Sequence, residues 1–149
     1  MKKWKYNEKY INSIEDCPKE SIGFVYKITN KENDSYYIGS KKLFFKKTKK
    51  ISKKKANEIY KGRGRKKTKE TIKTESDFLE YLSSSKKVQE MIAEQGLSNF
   101  RFDILKFCSS YTEMMMEETF LILQAFLNKE EKILNEWLSI KIRKPSLKN

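Results

Sequence analysis

The clearest local pattern lies between residues 23 and 39. Gly23 to Asn30 reads GFVYKITN, a β-branched and aromatic run of strand type. Lys31-Glu32-Asn33-Asp34 supplies turn residues, and Ser35 to Gly39 (SYYIG) forms a second short strand, so the pair predicts a β-hairpin. Facing residues of an antiparallel pair keep a constant index sum. A turn centred near residues 31 and 32 therefore sets Tyr26 opposite Tyr37 on one face, and a slip of one residue would separate them. By alternation Tyr36 points the other way, as a packing residue.

Further along, Ser76 or Asp77 precedes Phe78, Leu79, Tyr81 and Leu82 as a helix cap would. Ser83-Ser84-Ser85 interrupts, and caps a second helix carrying Val88, Met91 and Ile92 that Gly96 stops. Asn99 to Phe107 (NFRFDILKF) alternates as a strand. Ser110 with Glu113 forms a capping box that opens an apolar helix from Tyr111 to about Leu127, with Asn128 at its end. From Ile133 onward, a short docked segment carries Asn135, Trp137 and alternating Ile140 and Ile142 before a basic tail. Residues 1 to 20 are polar; Trp4, Tyr6, Tyr10, Ile11 and Ile14 suit a short helical stripe, broken at Cys17-Pro18. The order of elements predicts a small α/β (α+β) domain with a mainly antiparallel sheet of about three strands flanked by helices.

Between Ser40 and Thr74 the apolar residues are sparse and aperiodic, and Gly62-Arg63-Gly64-Arg65 cannot be a helix interior. This stretch reads as an extended excursion with one short helix. It also holds the charge. Ser40 to Glu70 contains fifteen Lys and Arg against two acids, while the rest of the chain carries eighteen of each sign. The whole net charge of +13 thus sits in one block, which repels itself unless it is solvated as a loop or meets a polyanion. Phosphate backbones fit that role through counterion release. A membrane surface fits less well, because the block has no apolar stripe. No apolar run approaches the roughly 18 residues that span a bilayer.

The 149 residues contain no histidine, which excludes histidine triads, and two distant cysteines, Cys17 and Cys108, without zinc-ligand spacing. Two thiols without a signal peptide point to a reducing cytosol. One acid stands out. On its helix, Glu118 has Met114, Met115, Leu121 and Ile122 as neighbours three and four residues away. An acid on an apolar face is costly unless it pairs with a Lys or Arg or binds a metal. Met114-Met115-Met116 reads as core filling.

These residues resemble the GIY-YIG endonuclease family. Phe24-Val25-Tyr26, with Gly23 one residue earlier than the strict pattern, is similar to its first motif, and Tyr37-Ile38-Gly39 to its second. Glu118 with Phe120, Asn135 in Leu134-Asn135-Glu136-Trp137, and Glu75-Ser76-Asp77-Phe78 with the serine run and Asn99-Phe100 extend the likeness from about Ser21 to Lys144. They resemble a phage-encoded subgroup with a Lys-rich insertion. The resemblance implies an N-terminal extension (1–20), a nuclease domain (21–144) with its insertion at about 40–74, and a tail (145–149).

It further implies metal-dependent hydrolysis of DNA, in the host cytoplasm if the chain is phage-encoded. Tyr26 would be the general base, Tyr37 a hydrogen-bonding partner of water or phosphate, Glu118 the ligand of Mg2+ or Mn2+, and Asn135 a supporting residue. A free tyrosine with its pKa near 10 is a poor base at neutrality, so nearby cations must favour its phenolate. The family's phosphate-binding arginine is missing about ten residues after Tyr37, where Phe45, Lys46 and Lys47 stand; Arg63 or Arg65 takes that role instead. Lys42 is a further phosphate contact, and Lys41, Lys46, Lys47, Lys66 and Lys67 serve the nucleic-acid backbone. The alternative is a catalytically inactive nucleic-acid-binding module on the same fold; a third reading, a basic structural protein, leaves the tyrosines and Glu118 unexplained.

Overall fold

The computed structural model describes residues 2–138. The chain divides into two units: residues up to Leu43 together with those from Asp77 onward, and Phe44–Ser76.

The first unit is built on a five-stranded sheet. Its strands are β1 (Trp4–Tyr6), β2 (Lys9–Ile11), β3 (Gly23–Asn30), β4 (Tyr36–Lys42) and β7 (Phe100–Cys108), in the order β2-β1-β7-β3-β4. Three of these are the strands expected, and β3 pairs antiparallel with both β4 and β7. The other two replace the expected helical stripe. Asn7 and Glu8 take positive φ (45° and 66°), which turns the chain tightly enough for Tyr6 to face Lys9. Trp4 then pairs in parallel with Phe102 and buries its indole completely. Burial of the ring decides against an isolated helix turn there.

The hairpin turn is longer than expected. Asn30 and Asn33 side chains accept from the Glu32 and Ser35 amides, and Asp34 sits at φ 58°. The pairing is displaced by two residues, so Tyr26 faces Gly39 and Tyr37 faces Ile28. An even displacement preserves the face, and both tyrosines remain on the same side.

Each side of the sheet has its own core. Trp4, Phe24, Tyr26, Phe102 and Phe107 form an aromatic layer on one side, joined by Phe78. Val25, Tyr36, Ile38, Cys108, Met114 and Ile122 pack together on the other side. That second layer is covered by α3 (Tyr111–Leu127), whose cap is as read: Ser110 Oγ accepts from the Glu113 amide at 3.1 Å. The Glu113 carboxylate closes on the Ser109 amide rather than that of Ser110.

The helix expected at Phe78–Leu82 is absent; the segment is a single turn anchored by Asp77. Phe78 is fully buried and its carbonyl accepts from the Trp4 indole at 2.7 Å, contacts that override the local helix pattern. The next helix, α2 (Lys86–Gln95), forms as read, with Ser85 accepting from the Val88 amide and Gly96 at φ 86° ending it.

The second unit, Phe44–Ser76, contains β5 (Phe44–Lys50), α1 (Lys53–Ile59) and β6 (Lys69–Glu75). The expected short helix is α1. The flanking segments are not loose: β5 and β6 pair antiparallel over seven residues.

Among the described residues, Ile133 is docked on Tyr36 as expected; Ile140, Ile142 and the basic tail lie outside them. No helix of the described residues is long and apolar enough to cross a membrane.

Candidate active site

Tyr26 is fully buried, and its hydroxyl makes no well-formed hydrogen bond among the described residues. Its ring lies 6.1 Å from that of Tyr81 and 6.4 Å from that of Tyr37. Burial pushes the phenol well above its ordinary pKa, and the neighbouring Tyr81 adds to the effect. Gly39 explains itself from this arrangement. A Cβ at that position would meet Tyr26 Cζ at 2.6 Å and stand closer still to the hydroxyl, so only glycine lets the tyrosine lie across β4. Gly23 is constrained in the same way: a Cβ there would meet Met114 Sδ at 2.6 Å and the Lys41 carbonyl at 2.7 Å.

Tyr37 is half-buried, and its hydroxyl lies 3.2 Å from Ser84 Oγ. Desolvation raises its pKa, while the Ser84 contact opposes the shift. Ser40, three residues on, leaves β4 on the opposite face and donates to Glu118 Oε2 at 2.6 Å. Glu118 is half-buried on α3. Burial raises its pKa and the Ser40 hydrogen bond pulls it back. None of the ion pairs among the described residues includes Glu118.

Tyr37, Glu118 and Asn135 line one cavity of about 720 Å³, with Ser84, Lys86 and Lys87 from the start of α2 and Trp137 from the C-terminal segment. Tyr26 is not among the lining residues; it stands behind Tyr37. Lys87 is engaged with Glu136 at 3.2 Å.

Asn135 spends its side chain on the backbone. Its Oδ1 accepts from the Ile38 amide at 3.0 Å and its Nδ2 donates to the Ile38 carbonyl at 2.8 Å. One step earlier, Tyr36 exchanges backbone hydrogen bonds with Lys132 and Leu134. The amide of Asn135 thus continues the ladder along the sheet's edge strand.

The basic candidates separate. Lys41 is anchored to Asp77 at 2.6 Å and lies over the Tyr81 ring, and Lys42 lies over the Tyr111 ring. Arg63 and Arg65 stand in the second unit, exposed, between Gly62 and Gly64 at φ 74° and the start of β6. Lys66 donates to Asn57 at 2.7 Å in that unit, and Lys67 is exposed.

Ser40, Tyr81 and the Lys86–Lys87 pair were not visible as site residues in the sequence. Ser84 was read only within the serine run, as a helix cap and as part of the family likeness. Ser40 follows the Tyr37-Ile38-Gly39 motif directly, and that adjacency was the one available signal. Two lysines in a chain with 33 Lys and Arg carry none.

A divalent cation is compatible with this donor set. No cluster of three or more His, Cys, Asp or Glu suited to a metal occurs among the described residues. One half-buried carboxylate without a cationic partner, beside an open cavity, suits a hard ion that keeps waters and takes phosphate oxygens.

Residues 4–139 match the family described as "Putative endonuclease segE, GIY-YIG domain". No curated protein and no solved structure matches.

Proposed function

We propose, for a chain that belongs to the SegE GIY-YIG endonuclease family, that it hydrolyses DNA phosphodiester bonds with a divalent cation bound by Glu118. The observation that carries this reading is the Glu118 carboxylate, half-buried, oriented by Ser40 and facing the cavity without an ion pair among the described residues. A half-buried acid without a cationic partner is costly, and a cation bound with substrate removes that cost. Magnesium or manganese, when bound, supplies Lewis-acid stabilisation of the charge developing on the phosphate.

The chain's own residues account for the remaining steps. Tyr26 as general base would act as its phenolate, so its own proton must first leave to solvent, against the upward shift that burial causes and with nearby cations favouring the anion. Oη then accepts a proton from the attacking water, whose oxygen forms the new bond to phosphorus as the bond to the leaving oxygen breaks and that oxygen takes a proton from solvent. The sealed Tyr26 hydroxyl requires the irregular Tyr81–Ser84 segment to give way first. Tyr37, already at the cavity wall, orients water or a phosphate oxygen by hydrogen bonding. Asn135 holds the strand that carries Tyr37. Arg63 or Arg65 serves as the phosphate clamp, with Lys42 as a further contact, and Lys41, Lys46, Lys47, Lys66 and Lys67 reinforce backbone binding, in the host cytoplasm if the chain is phage-encoded.

A second reading, a DNA-binding module that has lost catalysis, is favoured by one observation: the Tyr26 hydroxyl is shut away from the cavity. A plasmid-nicking assay separates the two. Wild type is expected to nick supercoiled DNA with magnesium and not with EDTA, and Glu118→Ala to lose at least a hundredfold in rate. Tyr26→Phe and Tyr37→Phe, assayed alongside, assign the base: loss of the base is expected to cost about 10²–10⁴-fold. DNA binding without metal-dependent nicking would leave the second reading standing alone.

A further inference from the structure

The β5–β6 ribbon sorts its charges by face. Facing residues in an antiparallel pair share a side. One side carries Phe44, Lys46, Thr48 and Lys50 opposite Glu75, Lys73, Thr71 and Lys69. Lys46 therefore faces Lys73, and Lys50 faces Lys69. The other side sets Lys47 against Ile72, Phe45 against Thr74 and Lys49 against the oppositely charged Glu70. Glu70 also takes Lys55 of α1 at 2.8 Å. The second side is nearly balanced, while the first repeats a like-charge pair twice.

Like charges directly opposite each other destabilise a ribbon. This ribbon also has little to offset the repulsion, since every residue of both strands is exposed except the half-buried Phe44 and Glu70. A two-stranded ribbon with neither face buried is marginal in water. Two lysine pairs on one face of such an element form an unfavourable arrangement for the free protein and a favourable one against a polyanion.

We infer that the face bearing Lys46, Lys50, Lys69 and Lys73 is a contact surface for the phosphate backbone of duplex DNA. This deepens the DNA-cleaving reading and rests on it. The two pairs are four residues apart along the strands, about 13 Å at strand rise. Duplex DNA carries about eight phosphate charges over that length. Thr48 and Thr71, facing each other between the pairs, add hydroxyl donors to the same surface. Lysines act as point charges rather than base-reading forks, so the contact is independent of sequence. Duplex is favoured over single strand because Phe44 is the only aromatic side chain on this face, and Lys73 lies over its ring at 3.8 Å, leaving no stacking platform.

The test uses two charge-matched double variants of the full chain. Lys46→Gln/Lys73→Gln removes two charges from the proposed face, and Lys49→Gln/Lys54→Gln removes two from outside it, one on the other face of the ribbon and one on α1. Binding to a fluorescent 20-base-pair duplex of arbitrary sequence is followed by anisotropy in EDTA across a salt series. The first variant is expected to bind at least tenfold more weakly near 0.1 M salt. Its slope of log affinity against log salt should fall by about 2. The second should change affinity less than threefold. Lys46→Arg/Lys73→Arg should bind like wild type, and circular dichroism should report the same fold for all. A single strand of equal length should bind more weakly than the duplex. Equal losses from the two Gln variants, or tighter binding of the single strand, would overturn this inference and leave the DNA reading intact. Failure of wild type to bind duplex DNA even at low salt would overturn both.

Discussion

At the scale of the residue, Tyr26 combines two properties that pull in opposite directions. Its ring is a central piece of the aromatic layer, and its hydroxyl is buried beside Tyr81 and Ser83 without a well-formed hydrogen bond among the described residues. An unsatisfied buried hydroxyl costs about 1 kcal/mol or more. Tyr26→Phe is therefore expected to stabilise the fold by about that amount in urea unfolding while it loses nicking activity, a trade common at catalytic positions. The direction of the pH dependence follows from the same burial. The folded state holds the phenolic proton above the pH, near 10, at which the unfolded chain releases it. Stability should be flat up to that pH and fall as the pH rises further. Tyr26→Phe should lessen the fall without abolishing it. Tyr36, raised to about 12 by burial and its bond to Glu130, contributes to the same alkaline loss.

At the scale of the element, β4 decides whether the cavity exists. It is the edge strand, it carries Tyr37, and Ser40 from its other face holds Glu118. Its outer side is closed by Lys132, Leu134 and the Asn135 side chain rather than by another strand. Removing that side chain strips both hydrogen bonds from Ile38 at once. Asn135→Ala is expected to cost about 1–3 kcal/mol. It should also accelerate exchange of the Ile38 amide hydrogen far more than that of the Tyr36 amide, which keeps its bond to the Lys132 carbonyl. Unchanged protection at Ile38 would show that Asn135 does not hold the edge. Asn135→Asp should lie between, since it keeps the acceptor and loses the donor.

At the scale of the whole molecule, most of the excess charge and the five-stranded sheet belong to different units. The segment Phe44–Ser76 holds the ribbon, α1 and both candidate arginines, whereas the tyrosines, Glu118 and Asn135 belong to the other unit. The ends of the segment are close, because Lys41 and Asp77, just outside it, form an ion pair at 2.6 Å. Replacing Phe44–Ser76 by a short Gly-Ser linker is thus expected to leave the thermal midpoint of the remaining unit within a few degrees of wild type. Duplex affinity should fall by at least a hundredfold near 0.1 M salt and lose most of its salt dependence. Collapse of the shortened chain would show that the two units do not fold independently.

Much of this was written locally. The β3–β4 hairpin, the serine caps of α2 and α3 and the stop at Gly96 depend on neighbours within a few residues, and so they are legible in the order of residues. The shared face of Tyr26 and Tyr37 survived a displaced register because strand alternation has a period of two. The block of charge is a property of composition alone. What tertiary structure decided are the contacts between residues far apart in the chain. Trp4 became a strand residue because its indole is buried against Phe24, Phe102 and the Phe78 carbonyl, and the same contacts removed the helix expected after Asp77. Ser40 found Glu118 and Asn135 found Ile38 across 78 and 97 residues. The lysines of the insertion acquired faces only when Lys46 was paired with Lys73 and Lys47 with Ile72. Local periodicity specifies how a segment prefers to fold; burial and hydrogen-bond satisfaction across the whole chain choose its partners, and the candidate site is made of such choices.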